Sequence, residues 1–193
     1  MISLVGTWQE SNEPSPNSVL PNPKKRFRKQ VANNHVVLVS ACLLGQPVRY
    51  DGQTKVADLS CLVNKDITLV AICPECAGGL PTPRVPCEIE KDMTAGDILA
   101  GQAKIKNADG IDCTQQYVEG SRFCLRMAQQ HRAHHAILKE KSPACGTHMV
   151  YDGQFNGTLK SGRGVTAELL HQNGIKLFNE NQCEELLAQL EKS

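Results

Sequence analysis

The chain has 193 residues, 40% of them apolar, with a formal net charge of +1, enough to enclose one core without disulfide staples. The near-neutral charge and 4% aromatic content offer neither a basic footprint for duplex nucleic acid nor a stacking platform for single strands. No apolar run approaches the roughly 20 residues that span a bilayer, so no membrane partner is expected.

The opening residues show no basic start followed by an apolar run, and a cytoplasmic address is therefore expected. The nine cysteines then read as reduced thiols, ligands or small packing residues rather than as a disulfide framework. Residues 1–34, rich in Pro, Asn, Ser and charge, read as a flexible N-terminal tail. Its KKRFRK stretch is a solvated basic segment, with a nuclear address or a polyanion contact as the alternative.

The domain is expected over residues 35–193. VVLVS at 36–40 is a β-branched run of the kind buried on both faces of a sheet, and ITLVAI at 67–72 repeats it. The segment from Cys113 to Ala133 places Tyr117, Val118, Phe123, Leu125 and Met127 mostly on one helical face. HHAILK at 134–139 and GIKLF at 174–178 are weaker strands. Between them GVTAELLHQNG has Thr166 as N-cap and Gly174 as stop, and residues 181–193 form an amphipathic terminal helix. Strands alternating with helices predict an α/β fold, a single domain with a mainly parallel sheet flanked by helices in a Rossmann-like three-layer arrangement.

Ligands of open parallel sheets collect beyond the carboxyl ends of the strands. Three predicted strands lead into a cysteine there, beside turn-forming Gly or Pro: Cys42 in ACLLG, Cys73 in CPE and Cys145 in SPACG. If the strands are parallel neighbours, the three thiols meet on one rim. Three readings stay open on the residues alone. Converging thiolates suit a soft metal or an iron–sulfur cluster with one open iron. Cys73 and Cys76 have the spacing of a redox CxxC pair, although the residues that follow read as loop rather than helix. The thiols can also be inert packing groups.

The blocks LVSACLLGQPVRYDGQTK, CPECAGGLPTPRVPCEI, DCTQQYVEG, LKEKSPACG and YDGQFNGTLKSGRGVTAELL together resemble the DUF523 family, which includes the thiouracil desulfurases. The resemblance runs from about Val36 to Glu180. It implies a [4Fe–4S] cluster held by Cys42, Cys73 and Cys145, with an open iron that takes the sulfur of a thiocarbonyl substrate. The implied reaction is hydrolytic: C=S becomes C=O in a thiolated pyrimidine, its nucleoside or nucleotide, and the sulfur leaves as sulfide. Such a step needs a proton acceptor. Glu75 is the candidate base, and Ser142 is a candidate to orient substrate or relay a proton. The competing structural roles are backbone capping for Glu75 and a turn hydroxyl before Pro143 for Ser142.

A non-catalytic cluster module and a CxxC oxidoreductase are the alternatives. Arg49 and Asp51 read as a salt bridge or a polar substrate contact, and Arg84 and Glu88 as partners of each other. Asp112 and Thr114 suggest a helix N-cap, and His134 and His135 face opposite ways on a strand. Cys76 stands where the family pattern has an apolar residue. Cys87 and Cys113 have no expected ligand role, and Cys61, Cys124 and Cys183 read as packing residues.

Overall fold

The computed structural model describes residues 35–63 and 65–192. The predicted tail over residues 1–34, with its KKRFRK segment, lies outside the described residues. The first β-branched run forms β1 (His35–Ser40), which ends in a 3-10 turn, Ala41–Leu44. A second such turn, Ser60–Leu62, leads to β2 (Ile67–Ile72) and then α1 (Pro74–Ala77). Next come β3 (Cys87–Ile89), α2 (Ala95–Leu99), β4 (Ile105–Asn107) and the long α3 (Thr114–His131). The chain finishes with β5 (His135–Leu138), β6 (Met149–Tyr151), β7 (Leu159–Ser161), α4 (Val165–Gln172), β8 (Lys176–Asn179) and α5 (Cys183–Leu190).

All four sequence-predicted strands enter one parallel sheet of order β2-β1-β5-β8. Alternate side chains of its strands feed two cores. Leu38, Ala136 and Leu138 pack with Cys124 and Ala128 of α3 and Leu170 of α4. Val37, Val39, Ile137 and Phe178 pack on the other face with Leu62, Leu186 and Leu190. Helices therefore cover both faces, as the three-layer expectation required. Among the described residues no helix is long and apolar enough to cross a membrane.

The β3–β4 and β6–β7 ribbons are antiparallel pairs of three-residue strands. So short a run shows no usable alternation, and none of the four strands is predicted from the sequence. Thr166 is not an N-cap: Gly164 holds that position, and the Thr166 hydroxyl is buried against Ser121 Oγ at 2.8 Å. The first amides of α4 are satisfied instead by the loop after β5. Val165 N–H donates to Pro143 O at 2.9 Å, and Thr166 N–H to Ala144 O at 2.9 Å. At the start of α3 the N-cap position falls to Cys113, while Asp112 Oδ1 accepts from Thr114 N and Oγ1.

Two of the cysteines expected as thiols are not thiols. Cys61 and Cys183 form a disulfide across 122 residues of sequence, because the Ser60–Leu62 turn packs on the first turn of α5. A pairing at that separation leaves no local signature. The remaining seven cysteines are free, and Cys124 is fully buried as a packing residue. Thiol titration of the denatured, unreduced chain should count seven groups rather than nine. Replacing Cys61 and Cys183 together by alanine should lower stability by about 2–4 kcal/mol, read from denaturant unfolding.

α1 sits directly on α3 through two glycines. A Cβ at Gly120 would lie 1.8 Å from Pro74 O, and one at Gly78 would lie 1.9 Å from Gln116 O. Both collisions are with backbone, so no rotamer change relieves them. Gly120→Ala should therefore push α1 outward, cost about 1–3 kcal/mol and displace the residues that α1 carries. Calorimetry and iron retention after anaerobic purification would read the two effects; a variant with wild-type values in both would sink this account.

Candidate active site

β1 is flanked by β2 on one side and β5 on the other, so the chain reverses direction across the sheet at β1. That is the switch point where open α/β sheets form a crevice beyond the strand ends. Ser40 stands level with Ile72, so β1 and β2 stop at the same height. Cys73 follows β2 directly, and Cys42 lies in the 3-10 turn after β1. That turn closes on Gly45, whose left-handed backbone (φ 85°) favours glycine.

Cys145 arrives from farther away, in the loop between β5 and β6. Ser40 Oγ accepts from Lys139 N at 3.0 Å and ties the loop's start to β1. Glu140 folds the rest. Its Oε1 accepts from the amides of Thr147, His148 and Met149 at 3.2, 3.1 and 2.8 Å, and Thr147 Oγ1 donates to Oε2 at 2.5 Å. Burial opposes ionisation of Glu140, but these donors hold its carboxyl below the usual range. No sequence signal marks Glu140, because its partners lie seven to nine residues downstream in an irregular loop.

The three thiols line one cavity of about 650 Å³ together with Glu75, Ser142 and Arg84. Burial raises the Cys42 thiol, pushes Cys73 up to about 12 and raises Cys145 well above its ordinary value. Such thiols stay protonated on their own, and a metal group binding them must displace protons. Among the described residues no three cysteine, histidine or carboxylate side chains are gathered closely enough for a single metal ion. Three thiols brought to one cavity by separate loops are the donor chemistry of an iron–sulfur cluster, whose irons are held by cysteine thiolates. Cys42, Cys73 and Cys145 are the residues that could hold it.

Glu75 is the second residue of α1 and points into the same cavity. It caps no backbone in the way the sequence allowed. Arg84 grips it instead: Nε donates to Oε2 at 2.7 Å, and Nη2 donates to the same oxygen. The expected Arg84–Glu88 pair is thus absent. Glu88 turns away to accept from Gly153 N and Phe155 N at 2.9 and 3.1 Å. Ser142 is the turn hydroxyl that the sequence allowed, and it also meets Glu75. Its oxygen accepts from Ala144 N and Cys145 N at 3.1 Å each, and its proton faces Glu75 Oε1 at 3.5 Å. Arg49 and Asp51 make the salt bridge, at 2.9 Å.

Pro74–Ala77 form the short helix α1, so Cys73 does sit at a helix start, while residues 78–86 run on without helix or strand, as expected of the segment after the CxxC pair. Its chemistry still argues against exchange. A redox thiol is activated by a lowered pKa, whereas burial drives Cys73 the other way. Cys76 Sγ lies 3.9 Å from Val48 O, which is 4.0 Å from Cys73 Sγ, and 3.6 Å from Thr82 Oγ1. His134 is exposed and His135 buried against Phe178, so the two histidines face opposite ways. Neither lines the cavity.

Residues 37–182 match the model of the 2-thiouracil desulfurase family. The chain belongs to the 2-thiouracil desulfurase family. An uncharacterized protein of Bacillus subtilis (strain 168), YbbK, is 41% identical over 152 residues, which cover 79% of this chain and all of that protein. The solved structure of TudS, a [4Fe-4S]-dependent thiouracil desulfidase, superposes with a TM-score of 0.72 at 39% identity. That match covers 82% of this chain and 99% of TudS. The desulfurase family domain thus begins inside β1 and ends at the residue before α5. It includes the whole cavity wall.

Proposed function

We propose that the protein is a hydrolytic desulfurase of thiolated pyrimidines such as 2-thiouracil or a thiouridine derivative, with a [4Fe–4S] cluster held by Cys42, Cys73 and Cys145. The observation that carries this reading is the meeting of three unpaired thiols from three strand-end loops with the Glu75 carboxylate in one cavity. Family membership and the likeness to TudS support the reaction class. When bound, the cluster would supply a soft Lewis-acid iron for the thiocarbonyl sulfur.

The chain's own residues do the rest. Glu75 Oε1, free of Arg84, holds the attacking water and takes its proton. The Ser142 hydroxyl hydrogen-bonds the same oxygen and keeps it facing the cavity. One water is consumed, its oxygen replaces sulfur on the ring carbon, and sulfide leaves with the displaced protons. No electron is gained or lost overall.

A sensor or partner-binding module has no need for a carboxylate held with one oxygen open in a cavity of ligand size. The test is sulfide release from 2-thiouracil and thiouridine derivatives by anaerobically purified protein, measured beside iron and acid-labile sulfide. Near-equal iron and sulfide at about four per chain, with stoichiometric conversion of C=S to C=O, is the expected result. Iron-loaded protein that releases no sulfide from any of these compounds would return the sensor reading.

A further inference from the structure

Arg84 holds Glu75 by one oxygen only, and its guanidinium is fully committed. A guanidinium has five N–H donors in a rigid fork, and Arg84 uses them all. Nε and Nη2 both donate to Glu75 Oε2. The second Nη2 proton reaches Val48 O at 3.1 Å. Nη1 donates to Pro81 O at 3.0 Å and Thr82 Oγ1 at 3.1 Å. The side chain is 6% exposed. Burial alone would lower its pKa, but Glu75 more than offsets that and holds it raised.

This arrangement is not the symmetric fork-to-fork pair, in which each carboxylate oxygen takes one N–H. Both N–H groups converge on Oε2, and Oε1 is left to Ser142. The three other bonds anchor the guanidinium to the segment after the Cys42 turn and to its own loop. The plane of the fork, and with it the direction of Oε1, is therefore set by two backbone carbonyls and the Thr82 hydroxyl.

We infer that Arg84 is a positioning residue for desulfuration: it clamps Glu75 through Oε2 and so aims Oε1 at the water. This inference rests on the reading of Glu75 as the base. A lysine would keep the charge as a compact point with three rotatable donors and could not fix the carboxylate plane. Misplacement of a reacting group by about 1 Å can cost roughly 100-fold in rate.

The test compares wild type, Arg84→Lys and Thr82→Val. Iron and sulfide content, KM and kcat for sulfide release, and crystal structures of the cluster-free proteins are the readouts. Arg84→Lys should keep its iron and its KM within about twofold while kcat falls by about 10- to 100-fold. Its cluster-free crystal should show the Glu75 carboxylate rotated or in more than one rotamer. Thr82→Val, which removes a single anchor, should lower kcat a few-fold at full iron content. That milder variant carries the test if Arg84→Lys does not fold.

Unchanged kcat in the variants beside an active wild type would overturn the positioning role and leave the desulfurase reading standing. Loss of kcat strictly in proportion to loss of iron would also overturn it, by making Arg84 a structural support of the cluster loops. A wild-type protein with about four irons and no sulfide release would overturn the desulfurase reading itself. The crystallographic orientation of Glu75 separates these cases without any assay of turnover.

Discussion

Alanine at Cys42, Cys73 or Cys145 is expected to take iron from about four atoms per chain to near zero after anaerobic purification. Each thiol comes from a different strand-end loop. The loss should be as complete for Cys145 as for the other two, although Cys145 lies seven residues beyond the end of β5. Glu140 and Ser142 hold that loop by seven hydrogen bonds from loop donors, and the loop cannot bring a second ligand forward. Cys76→Ala is the control. It should keep its iron, because Cys76 is satisfied by Thr82 and Val48. Full iron in any one of the three single variants, or its loss in Cys76→Ala, would replace the proposed ligand set.

Glu75→Gln should leave iron content and KM near wild type while kcat falls by about 10²- to 10⁴-fold, the usual contribution of a general base. Glutamine is the right replacement because its amide oxygen can still accept from Arg84. Alanine would leave a guanidinium whose side chain is 6% exposed without any counter-charge, which costs about 3–5 kcal/mol and mixes instability with chemistry. Some destabilisation is expected even with glutamine, since the ion pair becomes a neutral contact. Sulfide release at saturating 2-thiouracil, normalised to iron, is the deciding measurement. Retention of more than about a tenth of wild-type turnover, well above what general-base loss permits, would remove Glu75 from the reaction.

The legible and illegible parts of this protein divide by range of interaction. Residues 36–40 and 67–72 announce themselves as strands because a strand buried on both faces is a local composition of β-branched side chains. α3 is legible through its apolar spacing over eighteen residues. With the weaker strand at 134–139 added, the rule that ligands gather beyond strand ends selects Cys42, Cys73 and Cys145, three of the four cysteines that line the cavity; the fourth, Cys87, stands on β3. The short helix α1 is hidden by the prolines and glycines around it. The β3–β4 and β6–β7 ribbons are too brief for any period to register.

Partner choice behaves differently. Arg84 lies four residues from Glu88 and nine from Glu75, and proximity in sequence favours the wrong one. The β3 backbone carries Glu88 toward Gly153 and Phe155, while α1, seated on Gly120, brings Glu75 back to Arg84. Cys61 and Cys183 read as packing residues for the same reason: nothing local distinguishes a buried thiol from half of a bridge.

By itself the sequence determined the α/β class, the four strands of the parallel sheet and the three thiols at their carboxyl ends. Each of these follows from patterns within a few residues, where side-chain period and turn chemistry act directly on the backbone. Only the tertiary structure decided that Arg84 clamps one oxygen of Glu75, that Glu140 shapes the Cys145 loop, and that Cys61 bonds Cys183. Those are pairings between groups of fixed chemistry and free choice of partner, and the choice is made by the packing of whole elements.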